Sequence, residues 1–206
     1  MLVRERMNPA GKWVAASLPI PSVIDVYEKS EFIWLPVVDQ EGRLIGLITL
    51  TEIQNGKARL ADPTENTENL TAQDIMTSRF LFVTEKTPIE EAARIMIDYD
   101  MSELPVVKDG YYTGIITEKT MLRVLMEITG ARRQGIRLMV QMENKNGELL
   151  NLLELIRDQN GTVQGLCTYC APENEYLIVT MRVDEVDKYN LKQEIRNLGI
   201  KVIDIR

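Results

Sequence analysis

Two short runs, Gly46-Leu47-Ile48-Thr49 and Gly114-Ile115-Ile116-Thr117, carry the clearest chemical possibility in the chain. Each ends an apolar, β-rich stretch on a threonine and passes into a helix-like pattern. A threonine at such a junction can cap the helix, and the free N–H groups of a first helical turn are a ready site for phosphate or another anion. Glycine just upstream would let a flat ligand approach the backbone. Plain capping meets the same pattern, so both readings stand. Other chemistry is less well provided for. The chain has no histidine, which removes the commonest general base, and no Ser-Lys or paired-carboxylate constellation is specified by spacing. Cys167-Thr168-Tyr169-Cys170 could chelate zinc or cycle as a dithiol. A closed zinc site needs four ligands, however, and positions i and i+3 of a strand face opposite ways. Ordinary small-apolar packing is the favoured reading of the two cysteines, and no metal site is expected.

The elements that must position these threonines are duplicated. "LPVVDQEGRLIGLIT" spans residues 35–49 and "LPVVKDGYYTGIIT" spans 104–117. The same displacement aligns Met7 with Met76, Pro19 with Pro88 and Ile20 with Ile89. Internal repetition dictates architecture, and units of about 60 residues bury too little surface to be stable alone. The two copies should therefore pack on each other. Each reads α-β-β-α, with a hairpin turn at Gln40-Glu41-Gly42 in the first and at Lys108-Asp109-Gly110 in the second. Pro19 and Pro88 suit helix starts. Gly130 should stop the last helix of the second copy, over 118–129.

Between the copies, "ADPTENTENLTAQD" has one large apolar residue, Leu70, and reads as a linker. Beyond "TGARRQG" the order is β-α-β-β-α-β, with helices closed by Gly161 and Gly199. Such a unit forms an antiparallel sheet with both helices on one face. The expected fold is mixed α/β (α+β), divided as 1–60, a linker over 61–73, 74–130, a joint over 131–135, and 136–206.

A net charge of −7 opposes broad nucleic-acid binding. Arg132, Arg133 and Arg137 form the one tight basic cluster and read as a solvated linker. No apolar run approaches the ~20 residues of a membrane span. No secretory signal is visible and cysteines are few, so a cytoplasmic location is expected.

The repeat, with LPVV before a hairpin, Gly-x-Ile-Thr before a helix and "DIMT" at residues 74–77, resembles a tandem pair of CBS domains. The resemblance implies that the copies dock through their sheets, leaving clefts for AMP, ADP, ATP or an S-adenosyl compound. In that family the strand-helix threonine contacts phosphate, and an aspartate three residues later grips the ribose. Here Thr49 and Thr117 match, while Glu52 and Thr120 stand at the aspartate positions. Glu52 keeps a carboxylate, so the Thr49 cleft is the better candidate. The implied nucleotide set is Gly46, Thr49, Glu52, Gly114, Thr117 and Thr120.

The C-terminal unit is similar to a ferredoxin-like ACT domain, whose members pair edge to edge and bind amino acids. Its ligand loop corresponds to Asn144-Lys145-Asn146-Gly147-Glu148-Leu149. N–H donors there suit a ligand carboxylate, and Glu148 or Asn144 an ammonium group; a purely dimerising unit is the alternative. The order CBS, CBS, ACT resembles the acetoin utilisation protein B type of bacterial regulator. Together these imply a homodimeric, non-enzymatic sensor near acetoin or carbon metabolism that requires no cofactor. The alternatives are an interaction module with empty clefts and an enzyme using the cysteine pair.

Overall fold

A computed structural model describes residues 1–9, 11–30, 33–62, 70–171 and 175–206. The middle of the expected linker, 63–69, lies outside them. The chain divides into two compact units, Met1–Met121 and Leu122–Arg206.

In the first unit a 3-10 turn (Val3–Glu5) leads to β1 (Asn8–Pro9), β2 (Val14–Ala15), α1 (Ile20–Glu28), β3 (Trp34–Val38), β4 (Leu44–Thr49) and α2 (Leu50–Ala61). The second copy follows as α3 (Ala72–Ile75), β5 (Val83–Thr84), α4 (Ile89–Asp98), β6 (Glu103–Lys108), β7 (Tyr111–Thr117) and α5 (Glu118–Ile128), which the unit boundary divides. β3 is buried along its whole length because both of its faces are covered. Leu35 and Val37 pack with Ile20, Val23 and Ile53 of the helices. On the other side Trp34 and Leu47 meet Ile115 of the second copy. The copies thus pack sheet to sheet, as small units that cannot bury both faces alone must do. The two-residue turn of the second hairpin, Asp109-Gly110, has positive φ at both positions (54° and 87°), the type I′ geometry that matches strand twist. The short parallel strands β2 and β5, each two residues long, carry too little periodicity to be legible in sequence.

The opening segment of each copy leaves its own copy and docks on the other. Val3 N–H donates to Thr87 O (2.9 Å), Arg4 N–H to Glu85 O (3.1 Å), and Ile89 N–H to Met1 O (3.1 Å). Displaced by one repeat, Ala72 N–H donates to Leu18 O (2.8 Å), Gln73 N–H to Ala16 O (3.0 Å), and Ile20 N–H to Leu70 O (3.1 Å). β1 then pairs with β7 through Asn8↔Ile115 and Pro9↔Gly114, and Thr77 bridges Leu47 in the same way. Leu70, which linker composition leaves without a face to bury, packs against the first copy's core. The "DIMT" segment sits there too, through Ala72 and Ile75. It begins the second copy in sequence and completes the first in space.

The second unit contains β8 (Ile136–Glu143), α6 (Glu148–Asp158), β9 (Thr162–Cys170), β10 (Tyr176–Asp184), α7 (Lys188–Asn197) and β11 (Lys201–Ile205). Its sheet runs β11-β8-β10-β9 with every neighbour antiparallel. Leu138, Val140 and Met142 alternate along β8 and share one core with Leu152 and Ile156 of α6 and Leu191 and Ile195 of α7, so both helices cover one face. The left-handed residue closing α6 is Asn160 (φ 57°) rather than Gly161. Gly161 follows in a cramped position, where a methyl would crowd Val186 and Ile156. The joint is not a free linker. A Cβ on Gly165 would lie 2.5 Å from Gly130 N, so the end of α5 packs on β9 and belongs to this unit. Arg182 donates to Gly135 O at 2.8 Å, and Arg137 pairs with Asp204 at 2.5 Å, leaving Arg132 and Arg133 as the exposed members of the basic cluster.

The exchanged segments explain the repeat's glycines. A methyl on Gly114 would fall on the Asn8 carbonyl oxygen, and one on Gly46 would fall on the Met76 sulfur with Thr77 O at 3.0 Å. The close approach expected for a flat ligand is thus made by the chain itself. Met76 is flexible and the Asn8 backbone is not. Gly114→Ala is therefore expected to destabilise the first unit by about 2–3 kcal/mol and Gly46→Ala by about 1, measured by urea unfolding. Equal costs would show that the β1 crossing is not rigid.

Candidate functional site

Thr49 and Glu52 form a capping box at the start of α2. Glu52 Oε2 accepts from Thr49 N–H at 3.0 Å and from the Thr49 hydroxyl in a short hydrogen bond. Thr49 Oγ1 in turn accepts from Thr51 N–H at 3.3 Å. Both partners of the expected phosphate and ribose pair thus satisfy each other and α2. In the second copy, Thr120 is buried, its hydroxyl lies 3.2 Å from that of Thr117, and its N–H donates to Thr117 Oγ1 at 3.3 Å. The same local device is used twice, once with a carboxylate and once without.

Thr49 opens onto a cavity of ≈ 750 Å³ within the first unit, a size that suits a nucleotide or drug-sized ligand. Its walls come from the start of β3, the end of β4, residues 77–81 that follow the exchanged segment, and residues 99–103. Both copies build it. Of the implied nucleotide set Thr49 lines it, while Gly46, Glu52, Gly114, Thr117 and Thr120 do not; Trp34, Arg79, Phe80 and Glu103, which no motif marks, do. The one available signal was the pairing of Trp34 and Glu103 at the same repeat position, just ahead of each LPVV.

The cavity's polar groups are not all satisfied. Trp34 is 3% exposed, and its Nε1 has no hydrogen-bond partner among the described residues; the same is true of Glu103 Oε2. Burial pushes the Glu103 carboxyl above the usual glutamate range, and a hydrogen bond from the Ile33 backbone pulls the other way. Tyr112 is pushed up to about 12, first by burial and then by the Glu103 charge. Tyr27, whose hydroxyl donates to Ile33 O at 3.1 Å, is raised by burial, Glu103 and Glu52 in that order. Arg79 adds an exposed cation to the wall.

In the second unit, Gly147 begins α6 at φ 92°, with open space where a Cβ would stand. Asn144 Nδ2 lies 3.8 Å from Cys170 Sγ, Leu149 packs on the core, and Glu148 is exposed in the first turn. Asn144, Gly147 and Glu148 thus flank the turn from β8 into α6, and Leu149 turns into the core. Cys167 and Cys170 are free thiols. Cys167 lies opposite Thr180 and Cys170 opposite Leu177 in the β9–β10 ladder, which puts them on opposite faces. Among the described residues no group of three or more His, Cys, Asp or Glu could hold a metal, and no helix is long and apolar enough to cross a membrane.

The CBS-domain profile matches residues 3–56 and 72–127, more than half of the chain. The chain belongs to the CBS-domain family. Its tandem CBS pair is similar to that of the magnesium transporter MgtE of Thermus thermophilus, 37% identical over 45% of this chain and 18% of that protein. It is also similar to the chloroplastic CBS domain-containing protein CBSX1 of Arabidopsis thaliana, 26% identical over 60% of this chain and 61% of that one. The chain thus spans from about a fifth to three fifths of these relatives' lengths. Among solved structures, CBSX2 in complex with AMP matches at TM-score 0.53 and 26% identity, over 62% of this chain and 97% of that one. A proposed acetoin utilization protein (AcuB) from Vibrio cholerae matches at TM-score 0.54 and 16% identity, over 64% and 95%, a likeness of fold.

Because burial raises Glu103, the folded CBS pair holds its proton more tightly than the unfolded chain does. The stability tied to that proton is complete below the unfolded value of about 4.3 and is lost as pH rises through the raised folded value. Glu103→Gln keeps an acceptor for Ile33 N–H and removes the desolvated charge. It is expected to raise the urea midpoint of the ligand-free protein at pH 7.5 and to leave it unchanged near pH 4. A lowered midpoint at pH 7.5 would mean that the charge is compensated.

Proposed function

We propose that this chain is a non-enzymatic regulatory sensor whose CBS pair binds an adenosine nucleotide or related adenosyl compound. The observation that carries this reading is the ≈ 750 Å³ cavity, which joins the Thr49-capped end of α2, the Arg79 cation and an apolar wall. The N-terminus of α2 and Arg79 suit phosphate. Ile33, Phe80 and Met101 suit a flat base. Support comes from CBSX2, a similar pair whose structure holds AMP. Glu52 would serve the ribose by exchanging a bond it now makes to Thr49, which favours the Thr49 cleft over that of Thr117 and Thr120.

An ACT-type role for the second unit, binding an amino acid near Asn144, Gly147, Glu148 and Leu149, is supported by its strand order and by the open space at Gly147. Pairing into a homodimer is supported by β9 and β11, which stand at the edges of the sheet, the position at which a strand can pair with another chain. A role in acetoin or carbon metabolism is supported by the domain order alone.

Calorimetric titration of the whole chain with AMP, ADP, ATP, S-adenosylmethionine and adenosine tests the reading. At about a hundred times its dissociation constant, a bound ligand adds ~2.7 kcal/mol to the native state, visible as a rise in melting temperature. Arg79→Ala is expected to weaken AMP about tenfold and leave adenosine unchanged. A chain indifferent to the whole panel would be an interaction module with empty clefts.

A further inference from the structure

Glu103 opens β6 and lines the cavity onto which Thr49 opens. Its carboxyl accepts a hydrogen bond from the Ile33 backbone, and the Ile33 carbonyl accepts from the Tyr27 hydroxyl at 3.1 Å. The Ile33 peptide is therefore held from both sides, by α1 of the first copy and β6 of the second, and Ile33 lines the same cavity. Turning the Glu103 carboxylate away from that wall would cost a charge-assisted bond. Burial already pushes this carboxyl above the usual glutamate range. The titratable and charged groups around it are Tyr27 on α1, Glu52 at the start of α2, which shares the neighbourhood of Tyr27, Tyr112 on β7, and Arg79 and Asp100 on the cavity wall. Both tyrosines are raised above their ordinary value, so they stay neutral while a carboxyl titrates.

A ligand that carries phosphate into this cavity brings further negative charge towards a carboxylate fixed in its wall. Between apolar side chains the two are poorly screened, and each disfavours the ionisation of the other. The carboxyl can relieve this by taking a proton where it stands, because its carbonyl oxygen still accepts from Ile33. We propose that entry of a phosphate-bearing ligand is coupled to uptake of a proton at Glu103, which makes the affinity of the cavity for that ligand fall as pH rises. The identity of the ligand rests on the adenosine reading above. By linkage, a group that holds its proton more tightly in the complex draws one in wherever it is ionised in the free protein. Affinity is therefore highest below the Glu103 midpoint of the free protein, falls between that midpoint and the higher one of the complex, and levels off above both. One wall residue of the second copy thereby makes the cavity report acidity together with ligand.

The test is calorimetric titration of the full chain with AMP, for wild type and Glu103→Gln, from about pH 5.5 to about pH 8.5, in pairs of buffers whose ionisation heats differ, so that the heat counts protons taken up. The AMP phosphate has its own ionisation near pH ~6, which both proteins meet alike, so the difference between them isolates Glu103. Wild type should take up as much as about one proton more than the variant and lose about tenfold more affinity across the window, the change that one unit of pKa carries. At the alkaline end the variant should bind AMP more tightly than wild type. A merely structural role for Glu103 would change affinity at every pH and leave the two proton counts equal. Carbon-13 NMR of the Glu103 carboxyl reads the same event at the residue. Its midpoint should lie above the ordinary ~4.3 in the free protein and rise by about one unit with AMP. Equal proton counts in the two proteins, or a midpoint that saturating AMP leaves in place, would overturn the coupling while the nucleotide reading stands. Failure of AMP to bind removes the coupling, and failure of the whole panel removes the nucleotide reading with it.

Discussion

The bond from Ile20 N–H to the Leu70 carbonyl, repeated as Ile89 N–H to the Met1 carbonyl, is the interaction on which the CBS pair depends. Helix starts leave their first N–H groups without intrahelical partners. Here α1 and α4 begin after Pro19 and Pro88, which offer no side-chain cap. The missing acceptor comes from the opening segment of the other copy. Each segment is itself held by a reach-back carboxylate. Glu5 accepts from Leu2 N–H at 2.9 Å, and Asp74 accepts from Thr71 N–H at 2.8 Å. The Thr71 backbone and hydroxyl bonds keep the Asp74 carboxyl below the usual carboxylate range. Removing either segment would orphan a helix start and uncover a core, so the two copies cannot be separated without cost to both.

That exchange also makes the cavity. After bridging Leu47, the chain runs through residues 77–81 and forms one wall, so the segment that completes the first core delivers Arg79 and Phe80 to the site. The repeat's glycines serve this passage. The chain needs them to cross a strand at close range, which means that a Gly-x-Ile-Thr run reports an architectural crossing as much as a ligand contact. The capping box at Thr49 has the same double character. It satisfies α2 in the absence of ligand, and it places at the cavity wall a hydroxyl and a carboxylate that can trade partners.

Much of the fold was legible because its signals are local. Asp109-Gly110 between apolar runs specifies a tight hairpin, Gly130 ends a helix, and the alternation of Leu138, Val140 and Met142 sets the core face of β8. What escaped the sequence was long-range. Nothing in Met1 or Leu70 announces that it will cap a helix of the other copy, and two-residue strands such as β2 carry no measurable period. The site divided along the same line. Thr49 lies in a motif with a known local geometry and could be placed. Arg79 and Glu103 are ordinary surface residue types, and they become cavity residues only through the pairing of segments far apart in the chain. The cysteine pair belongs with the local signals, since a strand pattern already sets positions i and i+3 on opposite faces, and β9 carries both.

Duplication gives two equivalent places, and the divergence between copies decides what each can do. Where the first copy has Thr49 with Glu52, the second has Thr117 with Thr120, a pair that closes on itself with Thr120 buried. Where the first copy has Trp34, the second has Glu103. A strictly symmetric pair would repeat one residue at both positions, whereas here the shared wall carries an indole from one copy and a carboxylate from the other. The copies therefore differ in where their carboxylates stand, the first having one in its cap at Glu52 and the second one on the cavity wall at Glu103. Glu103 lines the cavity that Thr49 opens and Glu52 bonds to Thr49 at its edge, so that the repeat supplies the scaffold and the differences between copies supply the acidic groups.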